Sequence, residues 1–173
     1  MHYSFLPYDS VFPKLFEKEK SHLQQILGND FVIEHFGSTS VSGLGGKGVV
    51  DIYVLTLKEK VKIVSKTLQE NKYVFSDFFK DEDHLLHQID REHEGRKYHY
   101  HIHVSSMENI NFKNCIIFRD FLRTHPEAVG EYIQLKHLAL EKIKNITDKK
   151  ERVQIYLKTK GSIIEKIIQQ SKK

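Results

Sequence analysis

The chain has 173 residues and a formal net charge of +4, and 39% hydrophobic beside 29% charged side chains describes a foldable globular protein, not a disordered one. Its single cysteine, Cys115, excludes an internal disulfide. The opening Met1–Phe5 shows no basic stretch leading into an apolar one, and no apolar run reaches the ~18 residues of a membrane helix, so a single-domain cytoplasmic protein without a membrane partner is expected.

Residues 9–27 are predicted as an amphipathic helix. Phe12, Leu15, Phe16, Leu23, Ile26 and Leu27 recur at three- and four-residue spacing, with Asp9 or Ser10 as N-cap. Gly28-Asn29-Asp30 ends it, and 31–36 reads as a short strand. A glycine-rich connection over 37–48 leads into Val49-Val50-Asp51-Ile52-Tyr53-Val54-Leu55, a β-branched and aromatic run that is apolar on both faces apart from Asp51. Such a strand belongs inside a sheet. A helix over 58–71 follows through Val61, Val64 and Leu68, and 73–75, 85–89 and 98–104 are strand candidates. The polar segment 90–97, with a turn at Glu94-Gly95, joins the last two. From residue 112 on the period is helical. A capping-box pattern at Thr124-x-x-Glu127 and an aspartate version at Asp148-x-x-Glu151 divide it into helices near 112–123, 126–145 and 149–170. The expected class is α+β: a sheet-containing part over 1–110 and a helical part over 111–173 of one domain.

Charge divides at the same place. Residues 1–110 carry 13 basic and 16 acidic side chains, and residues 111–173 carry 14 and 7. That asymmetry suits an anionic partner or a solubilising lysine-rich face. Nucleic acid is the weaker expectation, because the basic helices lack an aromatic stacking series.

The glycines are not a known phosphate loop. Gly43-Leu44-Gly45-Gly46-Lys47-Gly48 spells G-x-G-x-x-G, yet a strand follows it instead of a helix. Lys47 is followed by Gly48 instead of Ser or Thr, which excludes a Walker loop, although Lys47 stays a candidate anion contact. Gly37-Ser38, at a strand end, can offer backbone N–H groups and a hydroxyl to a phosphate. Asp51 in its apolar strand demands a partner: a metal, a hydrogen bond or a lysine. His99, His101 and His103 alternate and share one face, where two imidazoles with Asp51 could hold an ion, touch an anion, or merely face water. His84 and His87 carry little weight. Arg119 and Arg123, at i,i+4, could fork onto one phosphate. Lys160 falls inside the apolar stripe Val153, Tyr156, Leu157, Ile164, Ile167 and Ile168, and Lys136 lies beside Tyr132, Leu135, Ala139 and Ile143. Each either snorkels to the rim or reaches an internal anion. Cys115 reads as core.

The run Ile33-Glu34-His35-Phe36-Gly37-Ser38-Thr39-Ser40-Val41-Ser42-Gly43-Leu44-Gly45-Gly46-Lys47-Gly48-Val49-Val50-Asp51-Ile52 closely resembles the signature of the GrpB family. The resemblance continues in Tyr8-Asp9, in His101-Ile102-His103-Val104, in Phe118–Glu127, and at Tyr132, Lys136, Tyr156 and Lys160. That family looks like a branch of the nucleotidyltransferase superfamily, which implies a small mixed sheet flanked by helices. The likeness further implies that Gly37 and Ser38 hold phosphates and that Asp51 holds a divalent metal, with Ser38 and Asp51 as the catalytic pair. Where the superfamily has a second acid, this chain has Tyr53, and its later strand offers histidines instead of a third. Ser42 and Gly48 stand where the family usually has prolines. The function expected is binding of a phosphorylated small molecule of the nucleotide kind, with nucleotidyl transfer open. The alternatives are a degenerate binding module and a single-metal enzyme. The site would take phosphate through Gly37, Ser38, Lys47, Arg119, Arg123, Lys136 and Lys160, and magnesium, manganese or zinc through Asp51, His101 and His103.

Overall fold

The structure, a computed structural model, describes residues 5–170, and the side chains of all of these except 78–80, 149 and 170. Most of the opening stretch read for a leader, Met1–Ser4, lies outside the described residues. Five strands, β1 (Val32–Phe36), β2 (Val49–Thr56), β3 (Val74–Asp81), β4 (His84–His93) and β5 (Arg96–Ser106), form one sheet in the order β1-β2-β5-β4-β3. Only the β2–β5 pair is parallel, so the sheet is mixed. The helices are α1 (Phe12–Leu27), α2 (Val61–Glu70), α3 (Ile110–Thr124), α4 (Pro126–Ile143) and α5 (Lys149–Gln170). The α+β class is as the sequence led us to expect, and β2 is an interior strand.

Alternation sorts the sheet into two unlike faces. Val50, Ile52, Val54, Tyr100, Ile102 and Val104 turn to one side and pack against Phe12, Leu15, Phe16 and Leu23 of α1 and Val61, Val64 and Leu68 of α2. Each fully buried aliphatic side chain there contributes about 1.5–3 kcal/mol. The opposite face carries Asp51, Tyr53, His99, His101 and His103 in register across β2 and β5. Part of it is covered by α3, where Phe112, Cys115 and Ile116 pack on Phe36, Tyr53 and Leu55. Val41 and Leu44, from the glycine-rich connection, insert among Leu122, Ala128, Tyr132, Ile163 and Ile167 of the helices. That anchor fixes the connection between sheet and helices. Among the described residues no helix is long and apolar enough to cross a membrane.

Several local expectations need correction. β4 and β5 run through the polar segment, because the ladder continues from Asp90 opposite His99 to His93 opposite Arg96. The turn at Glu94-Gly95 is as expected, with positive φ at both residues (52° and 75°) as a two-residue hairpin requires. Thr124 does not cap α4. Its hydroxyl donates to Asp120 O (3.2 Å) and Phe121 O (3.0 Å), closing the end of α3 instead. Asp148 does cap α5, accepting from the Glu151 N–H at 2.7 Å. On α1 Asp9 accepts from the Val11 N–H (3.0 Å) without being the capping residue itself. Leu157 is exposed, because the buried stripe of α5 runs through Tyr156, Ile163 and Ile167.

Candidate functional site

The site begins where β1 ends. Gly37 adopts φ 71° and ψ −170°, a conformation open essentially to glycine, and a Cβ there would collide with Asp51 Oδ2. The following turn is held from several sides. Ser40 Oγ donates to Gly37 O (2.7 Å), and Thr39 Oγ1 donates to Val49 O (3.1 Å) while meeting His35 Nε2 at 3.0 Å. His35 stacks on Phe16, and burial lowers its imidazole to about 4, so it stays neutral and rigid at neutral pH. Ser38 Oγ carries none of these ties. It faces Gly46, where an added Cβ would collide with it and stand 3.2 Å from Lys136 Nζ. The backbone of Gly46 is pinned in turn by paired bonds with Leu6 (2.7 and 2.9 Å).

Lys136 reaches this place, and two lysines from two further elements lie near enough to act on its charge. Lys136, within α4 and 4% exposed, donates from Nζ to Gly45 O at 2.7 Å and lies 4.9 Å from the Tyr132 ring centroid. Lys47, from the connection, and Lys160, from α5, lie over the same Tyr156 ring at 4.7 and 5.2 Å. Burial above all, and then the charge of Lys160, lowers Lys136 to about 7 and Lys47 to about 8, with Asp51 opposing. The sequence placed Lys136 beside the buried stripe of α4; it stands within it, next to Tyr132 and Ala139.

The arginines do not share one open spot, contrary to the fork expected from their spacing. Arg119 Nη1 donates to Glu34 Oε2 (2.6 Å) and His35 O (2.8 Å), and Nε to Asp120 Oδ1 (2.7 Å). Arg123 donates through Nε and Nη2 to Ser40 O (3.1 and 3.0 Å). Their spacing puts both on one face of α3, but that face meets the end of β1 and its turn. They position Gly37–Ser40, and their guanidinium groups are engaged with protein.

Asp51 and the histidines stand across the parallel ladder. Asp51 Oδ1 lies 3.2 Å from His101 Nδ1, its register partner's ring. Burial pushes the Asp51 carboxyl up, but the His101 bond, both nearby imidazoles and Lys160 together hold it below its ordinary value. One ligand atom each of Asp51, His101 and His103 lie within 4.8 Å of one another. His103 Nδ1 meets His84 Nε2 at 2.8 Å, and burial lowers the His103 imidazole to about 3. His99 lies edge-on to His101, with ring centroids 5.0 Å apart, while its Nδ1 is held by Asp90 at 2.6 Å, and His87 pairs with Ser65 on the other face at 2.9 Å. The place of His84 beside His103 depends on the β4–β5 register, which composition does not encode. Tyr156, the ring under two lysines, read as core alone.

A family model described as "GrpB protein" matches residues 3–170. The chain belongs to the GrpB family. It is 27% identical to a UPF0157 protein of Halalkalibacterium halodurans over 97% of this chain and 82% of that one. The crystal structure of conserved protein GrpB from Enterococcus faecalis superposes with a TM-score of 0.75 at 24% identity, over 97% of this chain and 96% of the other. A structure of the Cid1 poly(U) polymerase, described as MgGTP-bound, superposes at 0.53 with 12% identity, over 77% of this chain and 44% of that chain. This GrpB-family fold is therefore nucleotidyltransferase-like. It departs from a two-acid metal strand at Tyr53, which is 2% exposed, lies 3.9 Å from Cys115 Sγ through its hydroxyl, and is pushed well above its ordinary pKa by burial. Glu34, opposite Tyr53 in the ladder, is held by Arg119.

Proposed function

We propose that this protein binds a phosphorylated small molecule of the nucleotide class at the side of the molecule that carries Ser38, Gly46, Lys47, Lys136 and Lys160. The observation that carries this reading is three lysines from three elements close enough to lower one another's proton affinity, Lys136 on the Gly45 carbonyl and Lys47 and Lys160 on one Tyr156 ring. Cations buried together repel and are costly to desolvate, and an anion seated among them removes both penalties. Glycine at 37 lets the Asp51 carboxylate, and glycine at 46 lets the Ser38 hydroxyl, pack directly on the main chain beside Lys136. Arg119 and Arg123 serve the ligand indirectly, by holding the turn that presents Ser38. A divalent ion travelling with the phosphate, whether magnesium, manganese or zinc, would meet Asp51, His101 and His103. The described MgGTP complex of a protein with this fold agrees with a nucleotide as the ligand class.

Binding, not ordinary nucleotidyl transfer, is the proposed activity. Two-metal transfer uses carboxylates that bridge the ions. Tyr53 supplies no such charge, and Glu34 is spent on Arg119. A panel of pyrophosphate, nucleoside di- and triphosphates, nucleotide sugars and coenzyme A precursors, read by thermal shift, tests the reading. A true ligand at a hundredfold its Kd adds about 2.7 kcal/mol of stability. That shift should shrink sharply in Lys160→Ala. If no phosphorylated compound raises the melting temperature, the proposal fails.

A further inference from the structure

We infer that Asp51, His101 and His103 form a mononuclear site for a borderline divalent transition ion of the zinc class, not a magnesium site, with His84 as the outer partner that orients His103. This rests on the reading above, which already puts a divalent ion at these three residues, and it names the class of that ion.

The donor set decides the class of ion. Magnesium takes oxygen ligands and gives up its water reluctantly, whereas two imidazoles and one carboxylate suit zinc and its neighbours. The strand geometry supplies the spacing. Asp51 and His101 are register partners on parallel strands, and His103 lies two residues further on the same face. Donors sharing a tetrahedral zinc at 2.0–2.1 Å stand about 3.3 Å apart. The Asp51 Oδ1 to His101 Nδ1 separation is already 3.2 Å. The full set spans no more than 4.8 Å, so closure around an ion needs a contraction of about 1.5 Å at most.

A further observation points the same way. His103 Nδ1 meets His84 Nε2 at 2.8 Å, the arrangement by which an outer group fixes the tautomer and ring angle of a ligating histidine. Phe36 and Tyr53 wall the site, with ring centroids 5.0 and 5.2 Å from that of His103, and hold the imidazole in place. Tyr53, where a second acid would bring a second ion, thereby becomes part of a one-ion site. Three protein ligands leave a coordination position for water or a phosphate oxygen.

Calorimetric titration of the chelator-stripped full chain with zinc and with magnesium tests the inference, with cobalt absorption as a second readout. We expect one zinc per chain, bound at least a hundredfold tighter than magnesium, and tetrahedral cobalt bands. His101→Gln and His103→Gln should each weaken zinc at least tenfold, and His84→Ala tenfold or more without changing the stoichiometry. Chemical unfolding in chelator establishes that each variant is folded; should Asp51→Asn not fold, the two glutamine variants decide. Magnesium binding as tightly as zinc, a stoichiometry of zero, or zinc affinity unchanged in both glutamine variants overturns the inference. Pyrophosphate stabilisation measured in chelator tests the anion reading separately: if it persists while the zinc titration is flat, the metal site alone fails, and if zinc binds while no phosphate stabilises, the anion reading alone fails.

Discussion

Replacing Lys136 by methionine should stabilise the ligand-free protein while abolishing its response to phosphates. Burial first, then Lys160 and Lys47, lower this amine from 10.5 to about 7 against the pull of Asp51. Because the folded value lies below the unfolded one, the unfolded chain holds the extra proton between pH 7 and pH 10.5, and stability rises with pH across that window. At 1.36 kcal/mol per unit, Lys136 costs the fold about 4 kcal/mol at pH 7 and about 1.4 kcal/mol at pH 9.5. Methionine removes that cost but also the 2.7 Å bond to Gly45 O. Leaving the carbonyl unpaired costs about 1–3 kcal/mol. The variant should therefore be more stable by about 1–3 kcal/mol at pH 7, and the advantage should fall by about 3 kcal/mol at pH 9.5. Equilibrium unfolding in guanidinium chloride at both pH values, in buffer free of phosphate, reads the difference directly. If Lys136→Met destabilises the protein equally at both pH values, Lys136 is charged and paired in the native state, and the electrostatic argument for an anion site is wrong.

Arg119→Ala should destabilise by about 2 kcal/mol, less than for a fully buried pair because Glu34 is partly exposed, and should also loosen the turn that presents Ser38. Thermal melts with and without pyrophosphate check both effects, and Arg119→Lys should recover little, since one ammonium cannot reproduce three directed bonds. Gly37→Ala should cost more than about 2 kcal/mol, from the forbidden backbone region and the collision with Asp51. Gly43→Ala, also at positive φ but with nothing within 4 Å, should cost about 1 kcal/mol. Equal losses at the two glycines would show that the close approach to Asp51 contributes nothing.

What the sequence determined was what depends on near neighbours along the chain. The period of two put His101 and His103 on one face and showed Asp51 interrupting an apolar strand. The period of 3.6 found five helical segments and put Lys160 in the buried stripe of α5, and Asp148 capped its helix because that bond spans three residues. What tertiary structure decided was every partner far off in the chain. Arg119 and Arg123 could be placed on one helix face from their spacing, but not against Glu34 and Ser40, some 80 residues away. Thr124 matched a capping box and yet closed the preceding helix, because which of two adjacent helix ends takes a hydroxyl depends on how the chain turns between them. His84 meets His103 through a hairpin register, and Lys47, Lys136 and Lys160 meet through the packing of α4 and α5 over an anchored loop. Periodicity states which way a side chain points; what it meets there is set by long-range packing, which no local pattern carries.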